Sequence, residues 1–240
     1  MHVQRNESRV LLQTIRRNTV SSIALAVLAA STLAGPVSGQ GTWETTLLAR
    51  DINGDGLADA YYDSALDITW LANGNIIGQV SWGNAWTWTR SLNIGGVTGW
   101  RLPTTVDIGS DGCNFDSIGG TDCGPRPRSD SSEMAHLYAV TLGNTAYPDQ
   151  NYEGFNDGPF FDLQKSDYYW SETNYAPYGD KYAWYFGFHD HGYQSYGPKI
   201  AITLYAFAAH DGDVLAVPEP GTAALVALAL TGLGILRRKF

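Results

Sequence analysis

Gly95-Gly96-Val97-Thr98-Gly99-Trp100-Arg101-Leu102-Pro103-Thr104 joins two stretches of helical spacing, and its reading decides how the rest of the chain is arranged. Gly95, Gly96 and Gly99 permit backbone angles that other residues resist, Trp100 and Leu102 supply bulk for a core, and Pro103 ends any regular element. The stretch is therefore expected to be a buried connector. Arg101, set between two apolar residues, is expected to pack its stem at the core edge and to carry its guanidinium to a carboxylate or backbone carbonyls. A ligand-binding role for it is the competing reading.

Upstream, Trp82, Ala85, Trp86, Thr89 and Leu92 recur at helical spacing before Asn93 and Gly95, which predicts a helix from Trp82 to Leu92. Trp82, Trp86 and Trp88 follow that stripe and are assigned to the core in preference to a sugar platform. Leu66, Ile68 and Trp70 alternate as in a strand that ends at Asn73-Gly74-Asn75, and an earlier strand is expected from Trp43 to Ala49. Downstream, Thr105 to Ser129 reads as a surface loop. Asp130 with Glu133 forms a capping-box pattern ahead of the apolar face Met134, Leu137, Tyr138 and Leu142, so a second helix should end at Gly143. His136 falls among polar positions of that helix and is expected to be exposed. A long loop from Asn144 to Asp167 leads to strands at Tyr168 to Ser171, Tyr182 to Phe188 and Lys199 to Ala208. His189-Asp190-His191 lies in the turn between the last two, either as a metal-chelating pair or as a solvated hairpin turn.

Asp51-Ile52-Asn53-Gly54-Asp55-Gly56-Leu57-Ala58-Asp59 matches the first nine positions of a calcium loop. Asp51, Asn53, Asp55 and Asp59 would supply side-chain oxygens, and Leu57 a carbonyl. The twelfth position falls on Tyr62 where a bidentate carboxylate is needed, with Asp63 one residue late. An Asx-rich hairpin turn is the competing reading.

The two ends differ from the body of the chain. Residues 1–40 carry Arg5, Arg9, Arg16 and Arg17, then an apolar run from Ile23 to Leu33, then small residues, which is the order of a secretory signal peptide cut somewhere between Ala34 and Gln40. Residues 217–240 place Pro218-Glu219-Pro220 before an uncharged run from Gly221 to Leu236 and the basic cluster Arg237, Arg238 and Lys239. As a helix that run would span about 24 Å, slightly short of a hydrocarbon core of roughly 30 Å, so its flanks must help, and the basic cluster should stay cytoplasmic. Between Gly41 and Val217 there are 8 Lys and Arg against 22 Asp and Glu, a net of about −14 at neutral pH, which argues against nucleic acid as a partner. Cys113 and Cys123, the only cysteines, sit in a Gly, Ser and Asp-rich segment and are expected to form a disulfide, closing a short loop for on the order of 3 kcal/mol. With Gly 27, Tyr 14 and Trp 8, the composition favours a loop-rich module packed by aromatic rings.

The C-terminal motif, short apolar helix and basic cluster together resemble a PEP-CTERM sorting signal, with Pro218, Glu219 and Pro220 as the motif. That resemblance implies an exosortase-type processing enzyme as a partner, transient membrane insertion, and a Gram-negative bacterium that builds an extracellular polysaccharide matrix. Residues 41–216 are similar to the Lcl C-terminal-like domain family, over about Leu47 to Val214. The similarity rests on Asp63 with Ile68-Thr69-Trp70-Leu71, Gly99 to Thr104, Ser132 to Tyr138, Leu142-Gly143-Asn144, Tyr169 to Glu172, Ala183-Trp184 and Asp211-Gly212-Asp213-Val214. It implies an α+β, C-type lectin-like fold: a mixed, mostly antiparallel sheet with two helices and long loops, here between a signal helix and a C-terminal transmembrane helix. Two departures from the family stand out. Ala209-His210 replaces a Val-Arg pair, which would remove an ion pair to the region of Glu133 or Asp213. The Glu-Pro-Asn and Gln-Pro-Asp tripeptides of calcium-dependent lectins are absent.

The expected function is accordingly that of an exported, non-enzymatic surface or extracellular-matrix protein that binds polysaccharide or another surface glycan. Trp170, Glu172, Asn174, Tyr178 and Asp180 are the contacts on the expected long-loop face, since planar rings stack on sugars and amides or carboxylates bond hydroxyls. Calcium at Asp51 to Asp59 is the only cofactor suggested. A structural or protein-binding matrix component is the alternative. An enzyme of the formylglycine-generating type, on the same broad fold, would need a reactive cysteine pair or a metal, whereas Cys113 and Cys123 read as a structural bond.

Overall fold

The computed structural model describes residues 35–107, 129–145, 155–188 and 192–215. The apolar runs at both ends, Cys113 and Cys123, His189-Asp190-His191 and the Pro218-Glu219-Pro220 motif lie outside the described residues.

Two antiparallel sheets and a few short helices make an α+β domain. The first sheet has the order β1-β2-β3-β7, from Leu47–Arg50, Ala60–Asp63, Ile68–Leu71 and Ala209–Asp211. The second has the order β4-β5-β6, from Tyr168–Asn174, Tyr182–Gly187 and Tyr193–Pro198. The last described strand thus returns to pair with β3, near the start of the fold. In β3 all four residues are buried, as a central strand with neighbours on both edges and packing on both faces requires. Trp70 stacks on Phe207 there at 5.2 Å.

The connector ties the two sheets together. Arg101 exchanges both backbone hydrogen bonds with Ala209 of β7, at 2.8 Å each. Two residues on, the Pro103 carbonyl accepts from the Glu172 amide of β4 at 2.8 Å and from the Ser171 hydroxyl at 2.9 Å. Trp100 enters the core cluster of Trp70, Met134, Leu137 and Phe207, whereas Leu102 enters a second cluster with Ala85, Trp170 and Leu204. Arg101, between them, donates to both Glu133 oxygens and to Asp211. Burial opposes its charge, but the Glu133 and Asp211 carboxylates outweigh that and raise its pKa. Gly95 fixes the entry: its φ is +55° and a Cβ there would stand 2.4 Å from the Ile52 carbonyl oxygen.

Several elements differ from the sequence-based expectation. Trp43–Thr46 forms a single helical turn, α1, and the first strand begins only at Leu47. The predicted helix over Trp82 to Leu92 is present as α2, Trp82–Ser91; Ala85 and Thr89 are its fully buried residues, Trp82 and Trp88 are half-buried and pack against the core as expected, and Trp86 is exposed. The second helix is α3, Glu133–His136, continued by a wider π-type turn, Leu137–Thr141. Met134, Leu137, Tyr138 and Leu142 are buried as that apolar face predicts. Its cap is Ser132, which accepts from the Ala135 amide; the expected Asp130–Glu133 capping box does not form, because Glu133 is the first helical residue and not the third, and its carboxylate is instead engaged by Arg101 and the Thr104 amide. His136 is half-buried rather than exposed, with Nε2 enclosed.

Tyr193–Pro198 is a regular strand, whereas Lys199 to Ala208 is irregular. That irregular segment touches Val80 through a backbone bridge at Leu204 and Tyr169 through one at Tyr205, so it crosses between elements instead of extending along one neighbour. The ion pairs expected to be lost with Ala209-His210 are present with other cations: Glu133 pairs with Arg101, and Asp213 with Arg50 at 2.7 Å.

Candidate functional site

In the aspartate loop the acidic side chains turn to their own backbone. Asp51 accepts from the Gly54 and Asp55 amides through Oδ1, at 2.7 and 3.1 Å, and from Gly56 through Oδ2 at 2.8 Å. Asn53 and Asp55 each close an Asx turn, accepting from Asp55 and Leu57. Asp59 receives the Ile52 and Asn53 amides and the Asn53 side-chain amide, which draws the ends of the loop together. Leu57 is exposed at the tip. Neither residue near the twelfth position joins this group. Tyr62 donates its hydroxyl to Asp67, and Asp63 is fully buried, accepting from the Thr141 hydroxyl and the Ala65 amide. Among the described residues no group of three or more His, Cys, Asp or Glu is placed to hold a metal ion.

A second arrangement lies where α2 packs beside β4. Positions four apart on a helix share a face, so Trp82, Trp86 and Arg90 form one row. Trp82 stacks on Trp86 at 6.3 Å. The Arg90 guanidinium sits 3.9 Å from the Trp86 ring centre, and the Lys199 ammonium 3.5 Å from that of Trp82. The row therefore reads Lys199, Trp82, Trp86, Arg90, with a cation over each outer ring. Each such contact contributes about 0.5–1 kcal/mol when exposed, and the ring pair roughly 0.5–1.5 kcal/mol. Strand β4 supplies the flank: Ser171 O accepts from the Trp82 indole at 2.8 Å, Glu172 pairs with Arg90, and Asn174 Oδ1 accepts from Lys199 Nζ. Glu172 Oε2 is enclosed and has no hydrogen-bond partner among the described residues. Burial lowers the Lys199 pKa, with Asp180 acting against it.

Beside this row, the 3-10 segment Ala176–Lys181 packs tyrosines onto β5 and β6. Tyr175 lies flat on Tyr196 at 3.7 Å, and Trp184 meets Tyr175 edge-on at 5.0 Å. Tyr178 covers Tyr182 at 4.8 Å yet is 54% exposed. Asp107 anchors the segment by accepting from the Ala176 amide and the Trp184 indole.

Of the five contacts expected on this face, Glu172, Asn174, Tyr178 and Asp180 lie on or beside it, and Trp170 does not. Trp170 is fully buried in the second core cluster, with its indole donating to the Val80 carbonyl at 2.9 Å, so its ring offers nothing to a ligand. It belongs to the core because the outward face of β4 there is covered by Val80 and Leu204. Trp86, assigned to the core from its spacing, is 37% exposed, and Trp82 is only half-buried. Arg90 and Lys199 carry no signal as single residues. The pattern Trp-x3-Trp-x3-Arg was the available sign, since a cation one turn beyond two aromatics completes a row.

Comparison of the chain with protein families, with characterised proteins and with solved structures gives no match. Among the described residues no helix is long and apolar enough to cross a membrane.

Proposed function

We propose that this chain is an exported, non-enzymatic surface or extracellular-matrix protein that binds polysaccharide through the α2 and β4 face. The carrying observation is the stacked pair of half-buried Trp82 and exposed Trp86, flanked by Arg90, Glu172, Asn174 and Lys199, which combines ring edges with hydrogen-bonding groups suited to sugar hydroxyls. Tyr178 and Asp180 extend the same surface. The leader-like and PEP-CTERM-like ends support export, a membrane-inserted intermediate and an exosortase-type processing enzyme. The return of β7 to β3, with β4-β5-β6 as a separate sheet between them in sequence, supports a C-type lectin-like arrangement. The marked acidity of residues 41–217 supports a partner other than nucleic acid.

One observation favours the alternative of a structural or protein-binding matrix component. The outer faces of both tryptophans are covered by the chain's own cations, so a sugar ring stacks there only by displacing Lys199 or Arg90. Calorimetric titration of the exported protein with matrix polysaccharide separates the two. Saturable binding that weakens about tenfold in Trp86→Ala supports the glycan reading. No heat, or binding that ignores Trp86, Glu172 and Asn174 replacements, favours the structural component. Adding calcium to the same titration asks whether the Asp51 to Asp59 turn takes part.

A further inference from the structure

The chain just after the leader-like segment is part of the domain rather than a tail. Val37 donates its amide to Asn156 Oδ1 at 2.9 Å, and its carbonyl accepts from the Gln40 amide at 3.3 Å and the Trp43 indole at 3.2 Å. The Ser38 hydroxyl and the Gly39 amide both go to the Glu44 carboxylate, at 2.8 and 3.0 Å. Gln40 accepts from Asn156 through its carbonyl and donates its side-chain amide to Gly143 O at 3.0 Å. Asn156, fully buried, also donates to Leu142 O at 2.7 Å, so one side chain clamps the N-terminal segment to the end of the second helix. Gly41 and Gly143 press together behind it: a Cβ on Gly41 would lie 2.3 Å from the Thr141 oxygen.

This bears on processing. Export cleavage needs small residues before the cut, and a bond to proline is a poor substrate because the imide lacks an N–H. Within Ala34 to Gln40 those rules leave the bonds after Ala34, Ser38 and Gly39. Cuts after Ser38 or Gly39 delete Val37, stripping one donor from buried Asn156 Oδ1 and the acceptor from the Trp43 indole. Thr32 and Ala34 are both small, as cleavage after Ala34 requires.

We propose that the Ala34–Gly35 bond is the processing site: water adds across it, leaving a carboxylate on Ala34 and an ammonium on Gly35, and the mature domain keeps Val37 to Gln40 as a built-in part. The inference rests on the export reading above, and the test separates the two. The full-length chain is produced in a Gram-negative host, and the N-terminus of the exported product is read by intact mass and N-terminal sequencing. A start at Gly35 is expected. A start at Gly39 or Gln40 overturns the site while leaving export intact, whereas an uncut chain beginning at Met1 refutes the export reading itself. Ala34→Leu should block the cut or push it to Ser38. A product shifted in that way should melt at least about 4 °C lower than the Gly35 form. Equal melting would show that the docked segment does not constrain the site, and would overturn the proposal.

Discussion

Arg101 and Arg90 are the same residue type put to opposite use. At the connector, Arg101 is 16% exposed, its guanidinium is held by Glu133 and Asp211, and Trp100 and Leu102 fill two core clusters on either side. Beside β4, Arg90 is 37% exposed, has one carboxylate partner in Glu172, and lies on an aromatic ring. A cation's role follows from how completely it is desolvated. A buried fork with two acceptors cannot be altered without stranding a charge. An exposed one can exchange partners, and a ligand group can take the place of either.

The largest effect is expected from Arg101→Leu. It leaves Glu133 without its cation in a partly buried position and should lower unfolding free energy by about 3–5 kcal/mol in urea denaturation. A loss within about 1 kcal/mol would put the connector in the same class as the exposed row. Trp86→Ala tests the exposed row. Because its ring is partly exposed, stacking on one indole and lying under one cation, the loss of stability should stay near about 1–2 kcal/mol by the same measurement. A loss of about 3–5 kcal/mol, as for a buried aromatic, would make it a core residue after all.

The smallest effect concerns pH at the Arg50 and Asp213 pair. The hydrogen bond from Arg50 holds the Asp213 pKa below its ordinary value, against a smaller effect of burial. A depressed carboxylate stabilises the fold above its unfolded pKa, and that contribution disappears as pH falls through the depressed folded value. Asp213→Asn should therefore lower stability at neutral pH and flatten the part of the acid transition that lies below about pH 4. An unchanged acid limb in urea melts taken between neutral pH and pH 2 would show that this pair contributes nothing to it.

How far the fold was legible depended on whether a residue's neighbours were local. Ile68-Thr69-Trp70-Leu71 reads as a strand because β-branched and aromatic residues suit a surface packed on both faces, and it is one. Tyr193–Pro198 was missed because its Gly197 and Pro198 signal a turn, although its Gln194 and Ser195 are buried. Gln194 accepts from Ser132 and donates to Thr105, partners 62 and 89 positions away that no local window contains. Lys199 to Ala208 has the composition of a strand, yet successive parts of it contact different elements. At the candidate face, Glu172 and Asn174 were singled out from their chemistry, and they lie beside Arg90 and Lys199. Trp170 and Trp86 were exchanged, because periodicity defines a face of a helix or strand without saying what covers it.

The connector, the helix at Trp82, the turn at Asp51 to Asp59 and the acidity of the body can all be read from the order of residues. Each follows from backbone restriction, short-range hydrogen bonding or summed charge. Which tryptophans are buried, that Arg101 reaches Glu133 and Asp211, and that Lys199 and Arg90 close the ends of an aromatic row emerge only from the folded chain. Those outcomes depend on surfaces brought together from distant parts of the chain, and burial is a property of that assembled surface.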